Sequence, residues 1–390
     1  MKASKLLFTL LSGIFLFSSC LKDGGEVTTY VYTPDQLQIL KQDLTLNDEL
    51  IDYSVKLPNH IAGQGARISE INNHKALLGR VLFYDNKLSK NNAVNCSSCH
   101  AQDRAFADGV DFSKGFDGEH TKRNSLALGA VVSFEASYDR PGSPISKFFW
   151  DERANTISEQ SELTIQDNIE MGMDFSELTG KLEAEPYYNI LFKKAYGNET
   201  VTKEKITDAL EEFVNSLVSA DSKFDRAVAN AGGNVHSNLS QLTAQENIGK
   251  NLYQSNCGNC HGSDLVSLGK ALANNGLDVT YSDKGRYEVT NRSQDKGVFK
   301  VPVLRNIELT GPYMHDGRFE TLEEVVDHYS EGIQNHQNLD QMLRENFGFN
   351  SPPKQMNFDD DEKEALVAFL KTLTDFGFVH NDKFSDPFIR

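Results

Sequence analysis

Residues 96–100 read Cys96-Ser-Ser-Cys99-His100, and residues 257–261 read Cys257-Gly-Asn-Cys260-His261. Two cysteines separated by two residues and followed at once by a histidine have the spacing of covalent c-type haem attachment. The thiols form thioethers with the haem vinyl groups, and the adjoining histidine is carried to the iron as its proximal ligand. The chain has five cysteines, and these motifs use four of them; the fifth is Cys20. A four-cysteine zinc site has no need of a histidine after both pairs. A thioredoxin-like redox pair sits between a strand and a helix, and one copy suffices. Vicinal structural disulfides stay open on sequence alone. The expectation is two covalently bound haem c groups, on Cys96, Cys99 and His100 and on Cys257, Cys260 and His261.

Around the motifs the text is helical. His74–Ser89 carries apolar residues at Leu77, Leu78, Val81 and Leu82, a helical spacing that leads into the first motif. From about 101 to 149 the chain is rich in Gly, Asp and Ser, as loops wrapping a cofactor are. Helical patterns return at 153–165, 176–195 and 203–221, and Gln245–Ser255 leads into the second motif. Leu322–Tyr329 and Asp359–Thr374 follow, the latter with an acidic start that suits a helix N-terminus. Strand signals are few. The pattern predicts a mostly α fold of two cytochrome c-like domains, each wrapping one haem: 61–225 and 226–390, after a signal at 1–20 and a tether with a small N-terminal element at 21–60. The length of 390 residues agrees with two or three domains.

There are 39 Lys and Arg against 56 Asp and Glu, a net charge of −17. That excess repels nucleic acid phosphates and gives no electrostatic grip on anionic lipid. Residues 1–20 read MKASKLLFTLLSGIFLFSSC: Lys2 and Lys5, a short apolar core from Leu6 to Phe17, then two serines and Cys20. The core is too short to span a membrane comfortably and reads as an export signal. It resembles a bacterial lipoprotein signal with Cys20 as the lipidated residue, although Phe17 stands where Leu is usual; ordinary secretory cleavage or an uncleaved anchor are the alternatives. Either export route agrees with haem attachment outside the cytoplasm, on the periplasmic side or on the outer membrane. The membrane is then reached only through a lipid anchor.

Several strings in fixed order carry a resemblance: LGRVLFYDNKLS (78–89), AFADG (105–109), RNS (123–125), FFWDERA (148–154), NIEMG (168–172), VPVLRN (301–306), LTGPYMHDGRF (309–319) and LVAFLKTLTD (366–375). From about 74 to 375 the chain resembles the bacterial di-haem cytochrome c peroxidase family, which also contains the MauG-type enzymes. The resemblance implies one peroxidatic haem and one that takes in electrons, facing an interdomain interface.

By that resemblance Glu170 is the distal glutamate and Gln160, ten residues earlier, a distal-pocket glutamine. A carboxyl in an apolar pocket has its pKa raised, which suits moving a proton between the two peroxide oxygens. Taken alone, Glu170 is one acid among 56. The family often has proline four residues after the glutamine; here Thr164 stands there. Trp150, the single tryptophan, falls where the family has an indole between the haems, a π-system able to pass an electron; otherwise it is a core aromatic.

The distal ligands set the subtype. In one branch a loop histidine ligates the peroxidatic iron and leaves on activation. The matching position here is Phe116, and His120 four residues on is the only substitute nearby, so the peroxidatic haem is expected to have no permanent sixth protein ligand and to need no reductive activation. At the second haem, counting fourteen from His315 reaches Tyr329, where the best-known peroxidases have methionine and the MauG-type branch has tyrosine. Tyr329 shares a helical face with Leu322, Val325 and Val326, whereas His328 is turned away. Methionine raises haem potential, and a phenolate favours ferric iron. The resemblance also implies a calcium ion held by the Asn124 side chain and the carbonyls of Thr310 and Pro312, oxygen ligands suited to a hard cation; alternatively these are tight turns.

The implied function is reduction of hydrogen peroxide with electrons from a small donor protein, a cytochrome c or cupredoxin. A MauG-type oxidase and a non-catalytic electron carrier are the alternatives. A homodimer is compatible with the sequence.

Overall fold

Helices dominate the computed structural model, which describes residues 31–46, 48–62, 70–129, 147–265, 269–348 and 351–390; the expected signal at 1–20, with Cys20, lies outside them. α1 (Pro34–Asp43) and α2 (Asn59–Ala62) precede α3 (Asn73–Tyr84), which leads towards the first motif. Beyond it come α4 (Ile157–Gln166), α5 (Phe175–Glu183), α6 (Pro186–Tyr196) and α7 (Lys203–Ser216). The second half has α8 (Lys223–Asn230), α9 (Ala244–Asn256), α10 (Gly258–His261), α11 (Tyr287–Thr290), α12 (Leu322–Asp327), α13 (Asp360–Lys371) and α14 (Phe376–Val379). Sheet is confined, among the described residues, to one antiparallel pair, β1 (Leu272–Ala273) and β2 (Phe299–Lys300), with Leu272 opposite Lys300. The mostly α expectation holds. No helix among the described residues is long and apolar enough to cross a membrane.

Local chemistry explains where helices begin. The Asn72 side chain accepts from the backbone N–H groups of His74 and Lys75 at the head of α3. Capping boxes start α9 (Thr243 with Glu246) and α13 (Asp359 with Glu362). The expected helix over 176–195 is two helices, because Pro186 lacks the N–H to continue α5 and opens α6 instead.

The two halves share a construction that the sequence shows only in the haem motifs. In each, the helix before the motif crosses a later helix through a glycine. A Cβ on Gly79 of α3 would stand 1.9 Å from the Ala209 carbonyl oxygen of α7, and one on Gly249 of α9 would stand 1.8 Å from that of Ala365 in α13. Only glycine lets the backbones approach so closely. Around these crossings sit two cores. The first gathers Leu78, Val81, Phe83, Phe192 and Phe213, and the second Phe224, Tyr253 and Phe369. In the second, Phe224 and Tyr253 each pack against the Phe369 ring, at 5.6 and 5.3 Å between centroids.

The chain crosses between the cores more than once. α8 begins at Lys223 and already packs in the second core, so a boundary at 225 falls inside a helix. The C-terminal residues return to the first core, where Phe378, Val379 and Phe384 are buried and Leu44 bridges to Phe388. Beneath the junction, Arg305 makes a buried two-pronged ion pair with Asp225, at 2.7 and 3.0 Å, and His60 Nε2 lies 3.5 Å from the same carboxylate.

Candidate functional site

The second haem motif begins where α9 ends, and the first opens in a short turn some way after α3. All four motif cysteines are free, so the vicinal disulfides left open by the sequence are not formed. Among the described residues no group of three or more Cys, His, Asp or Glu gathers in metal-binding fashion, which separates the pairs from a four-cysteine zinc site. His100 Nδ1 donates to the Phe106 carbonyl at 2.8 Å, and His261 Nδ1 to that of Pro302 at 3.0 Å. With the proton held on Nδ1, Nε2 keeps its lone pair for iron. Burial lowers both imidazole pKa values, so both rings are neutral, as ligands must be. Cys257, Cys260 and His261 open onto a largely apolar cavity whose wall includes Val301, Met314 and Leu370. Free thiol pairs, neutral imidazoles and an apolar cleft fit haem c.

Glu170 sits beside the first motif. After α4 the chain turns at Asp167, whose Oδ1 accepts from the N–H groups of Ile169 (2.8 Å) and Glu170 (3.0 Å). The loop of residues 113–120 locks on from outside. Phe116 N–H donates to the Glu170 carbonyl at 3.0 Å, and Gly115 lies so close that a Cβ there would meet the Ile169 carbonyl at 1.6 Å. Burial pushes the Glu170 pKa up to about 7, with help from Asp167 and against Thr164 and Arg153. Its charge acts in turn on the buried thiols of Cys96 and Cys99, which locates the carboxyl at that motif. A group near neutrality can both take and return a proton at physiological pH. Gln160 lies one turn before Thr164 on the same face of α4.

Phe116 packs its ring against Gly172, where a Cβ would come within 2.4 Å of it. The loop is held there by an aromatic contact and a backbone hydrogen bond, with no imidazole at this position. His120 is exposed, and its Nδ1 is engaged with the Phe112 carbonyl at 3.0 Å.

Trp150 stands at the wall of the second cavity, half-buried, its ring edge-on to His315 at 6.5 Å. Its Nε1 donates to the Asn124 carbonyl at 2.8 Å. The next residue, Ser125, places Oγ 2.7 Å from the Cys99 carbonyl and 3.2 Å from His100 Nδ1. One short path therefore runs from the first proximal histidine through Ser125 and Asn124 to the indole on the second cavity. Arg123 clamps this junction, reaching Asp151 at 2.6 Å and gripping Asp283 with two bonds of 2.6 and 2.8 Å. The sequence singled out the RNS string, but nothing in it announced the role of Ser125 or the distant partner Asp283.

Tyr329 lines the same cavity together with Leu322, Val325 and Val326, as the helical pattern predicts. The helix is not regular there: α12 ends at Asp327 and passes into one π turn, His328–Gly332, a feature common at functional sites. Burial holds the Tyr329 phenol well above its ordinary pKa, opposed by the Asn275 side chain. Asn275, which no sequence signal identified, also donates to Met314 Sδ at 3.4 Å. His328 turns away, its Nε2 3.1 Å from the Asn275 carbonyl. Asn124, Thr310 and Pro312 also line this cavity. Asn124 Nδ2 donates to the Val110 carbonyl at 3.1 Å.

Comparison with known proteins agrees with this geometry. Residues 73–232 match the family model of di-haem cytochrome c peroxidase, and residues 247–374 that of cytochrome c. The chain is 33% identical over 304 residues to a cytochrome c551 peroxidase of Nitrosomonas europaea, covering 77% of this chain and 79% of that one. It is 30% identical to the methylamine utilization protein MauG of Methylophilus methylotrophus, over 77% and 82% of the two chains. The crystal structure of a MauG-like protein associated with microbial copper homeostasis superposes with a TM-score of 0.68 at 30% identity, covering 88% of this chain and 99% of that one. One-third identity along more than three quarters of both chains, with both haem motifs in place, makes this protein a member of the di-haem cytochrome c peroxidase family.

Proposed function

We infer that this protein is a cytochrome c peroxidase, reducing hydrogen peroxide to two waters with two protons and two electrons from a small redox protein, a cytochrome c or a cupredoxin. The observation that carries this is Glu170, a carboxyl beside the first haem motif with its pKa pushed up to about 7. The haem held by Cys96, Cys99 and His100 supplies redox chemistry and a seat for peroxide, and the one held by Cys257, Cys260, His261 and Tyr329 supplies an electron store. Glu170 takes the proton from one peroxide oxygen and returns it to the other, so that the O–O bond breaks with water as leaving group. Gln160 orients the substrate, and Trp150 passes electrons between the halves. Phe116 leaves the peroxide side free of a displaceable histidine, so no reductive activation is needed.

A calcium ion on Asn124, Thr310 and Pro312 braces the junction. The peroxidatic domain takes in about 61–225 and the electron-entry domain about 226–390, the exchange falling at α8 and the C-terminal residues returning to the first core. The signal-like residues 1–20 support export, and Cys20 supports a lipid anchor facing the periplasm or on the outer membrane. A homodimer is compatible with this arrangement.

Steady-state peroxide turnover of the purified protein with several reduced donors, with and without added calcium, tests the function. Turnover with a reduced cytochrome c or cupredoxin supports it. A second reading, a MauG-type oxidase acting on a protein or small molecule, is favoured by Tyr329 and Phe116. It gains if peroxide is consumed only when such a substrate is oxidised. A protein inert to peroxide is an electron carrier.

A further inference from the structure

The backbone around Glu170 is fixed from three sides. Asp167 Oδ1 holds its N–H, Phe116 N–H holds its carbonyl, and Lys90 N–H holds the next carbonyl, that of Met171, at 3.0 Å. What remains to be set is the direction of the carboxyl. The group placed to set it is Thr164, on the last turn of α4, one turn after Gln160. α4 ends there: Asp167 N–H donates to the Thr164 carbonyl at 3.2 Å, and the turn that follows folds Glu170 back over the helix end. Thr164 Oγ1 is completely buried and makes no hydrogen bond of ordinary length and angle. A buried hydroxyl is costly to leave without a partner, and the Glu170 carboxyl is the group on which this hydroxyl acts.

We propose that Thr164 is a positioning residue of the acid–base unit, its hydroxyl donating to the Glu170 carboxylate and accepting from the carboxylic acid, so that the carboxyl keeps one orientation through both halves of the proton shuttle. A hydroxyl is the smallest side-chain group that serves in both directions, since it carries one donor and two acceptor sites. Catalytic hydrogen bonds are commonly loose before substrate arrives and tighten during reaction. In agreement, Thr164 draws the Glu170 pKa down while burial and Asp167 drive it up. The charged groups acting on the carboxyl are Asp167, in the turn after α4, and Arg153, from the loop before it. The sulfurs of Cys96 and Cys99 are neutral thioethers once haem is attached. None of these can exchange donor for acceptor as a hydroxyl does.

The proposal rests on the assignment of Glu170 as the proton-transfer group, and its test separates the two. In the haem-loaded protein, the Glu170 carboxyl band is followed by infrared difference spectroscopy from pH 5 to 9 and identified by its loss in Glu170→Gln. Thr164→Val keeps the shape of threonine and removes the hydroxyl. Its midpoint is expected to move up by on the order of one pH unit, and the pH profile of peroxide reaction should move with it. Thr164→Ser restores the hydroxyl and should return both to the wild-type position. A midpoint unmoved in Thr164→Val, or moved as far in Thr164→Ser, overturns the proposal. Full turnover in Glu170→Gln instead removes the proton-transfer assignment, and the infrared midpoints then still decide whether Thr164 holds the carboxyl.

Discussion

Trp150 and Asn124 are joined by a 2.8 Å hydrogen bond from the indole to the backbone carbonyl, and their neighbours repeat the join, Arg123 to Asp151 at 2.6 Å. Both strands of this double stitch lie between the first proximal histidine and the second cavity. A rigid, π-bearing contact is expected where electrons cross between cofactors. Trp150→Phe removes the donor and shrinks the π-system while leaving Glu170 and both haem motifs untouched. In stopped-flow experiments the initial reaction with peroxide should keep its rate, whereas electron equilibration between the haems slows. An unchanged equilibration rate would show that Trp150 is only a packed aromatic.

Glu170→Gln preserves shape and hydrogen-bonding capacity but abolishes proton exchange. Loss of a positioned acid–base group costs about 10²–10⁴ in rate. Peroxide reduction is expected to fall by that order with both haems still present and reducible.

In the proposed proton shuttle Glu170 begins as a carboxylate and accepts the first proton. With its pKa pushed up to about 7 by burial and Asp167, the second-order rate of peroxide reaction should climb as pH rises through neutrality and then level. At pH 6 it should be about tenfold below the plateau. A flat profile between pH 5 and 8 would remove this carboxyl from the rate-determining proton transfer.

On the proposed ligation, Tyr329→Met replaces a phenolate, which favours ferric iron, with a thioether that raises potential. The variant should gain the weak near-infrared band of a methionine–iron bond, and the potential of one haem should rise. If that band is already present in the unmodified protein, Tyr329 is not the ligand. Met314, on the same cavity wall, or Met342 then becomes the next candidate.

Asp225 tests the junction between the cores. Burial works to raise its pKa, but the Arg305 guanidinium, with His60 and Ser222, more than reverses this and holds the carboxyl well below its ordinary range. A carboxyl whose folded pKa is depressed contributes stability above its unfolded pKa, near 4, and loses it as pH falls towards the folded value. Asp225→Asn leaves Arg305 without its counter-charge, a change worth about 3–5 kcal/mol at a buried pair. Denaturant unfolding at pH 7 should report a loss of that size, and the gap between variant and wild type should narrow in acid.

The cysteine spacing alone determined two haem attachment sites, because thioether formation and proximal ligation need those residues in that local order whatever the surrounding fold. Helical periodicity likewise gave α9, α13 and the inward face that carries Tyr329, since amphipathic spacing is a local property. Glu170 and Trp150 were legible only as matches to family strings; their burial and their partners were not. The tertiary structure decided what depends on residues far apart in the chain. It set Gly79 against Ala209 and Gly249 against Ala365, a shared helix crossing hidden because glycine carries no side-chain pattern. It brought the C-terminal Phe378 and Phe384 back to the first core and sent Arg123 to Asp283. Such contacts are fixed by which apolar faces and charges meet when the helices pack, and no window of sequence contains both partners.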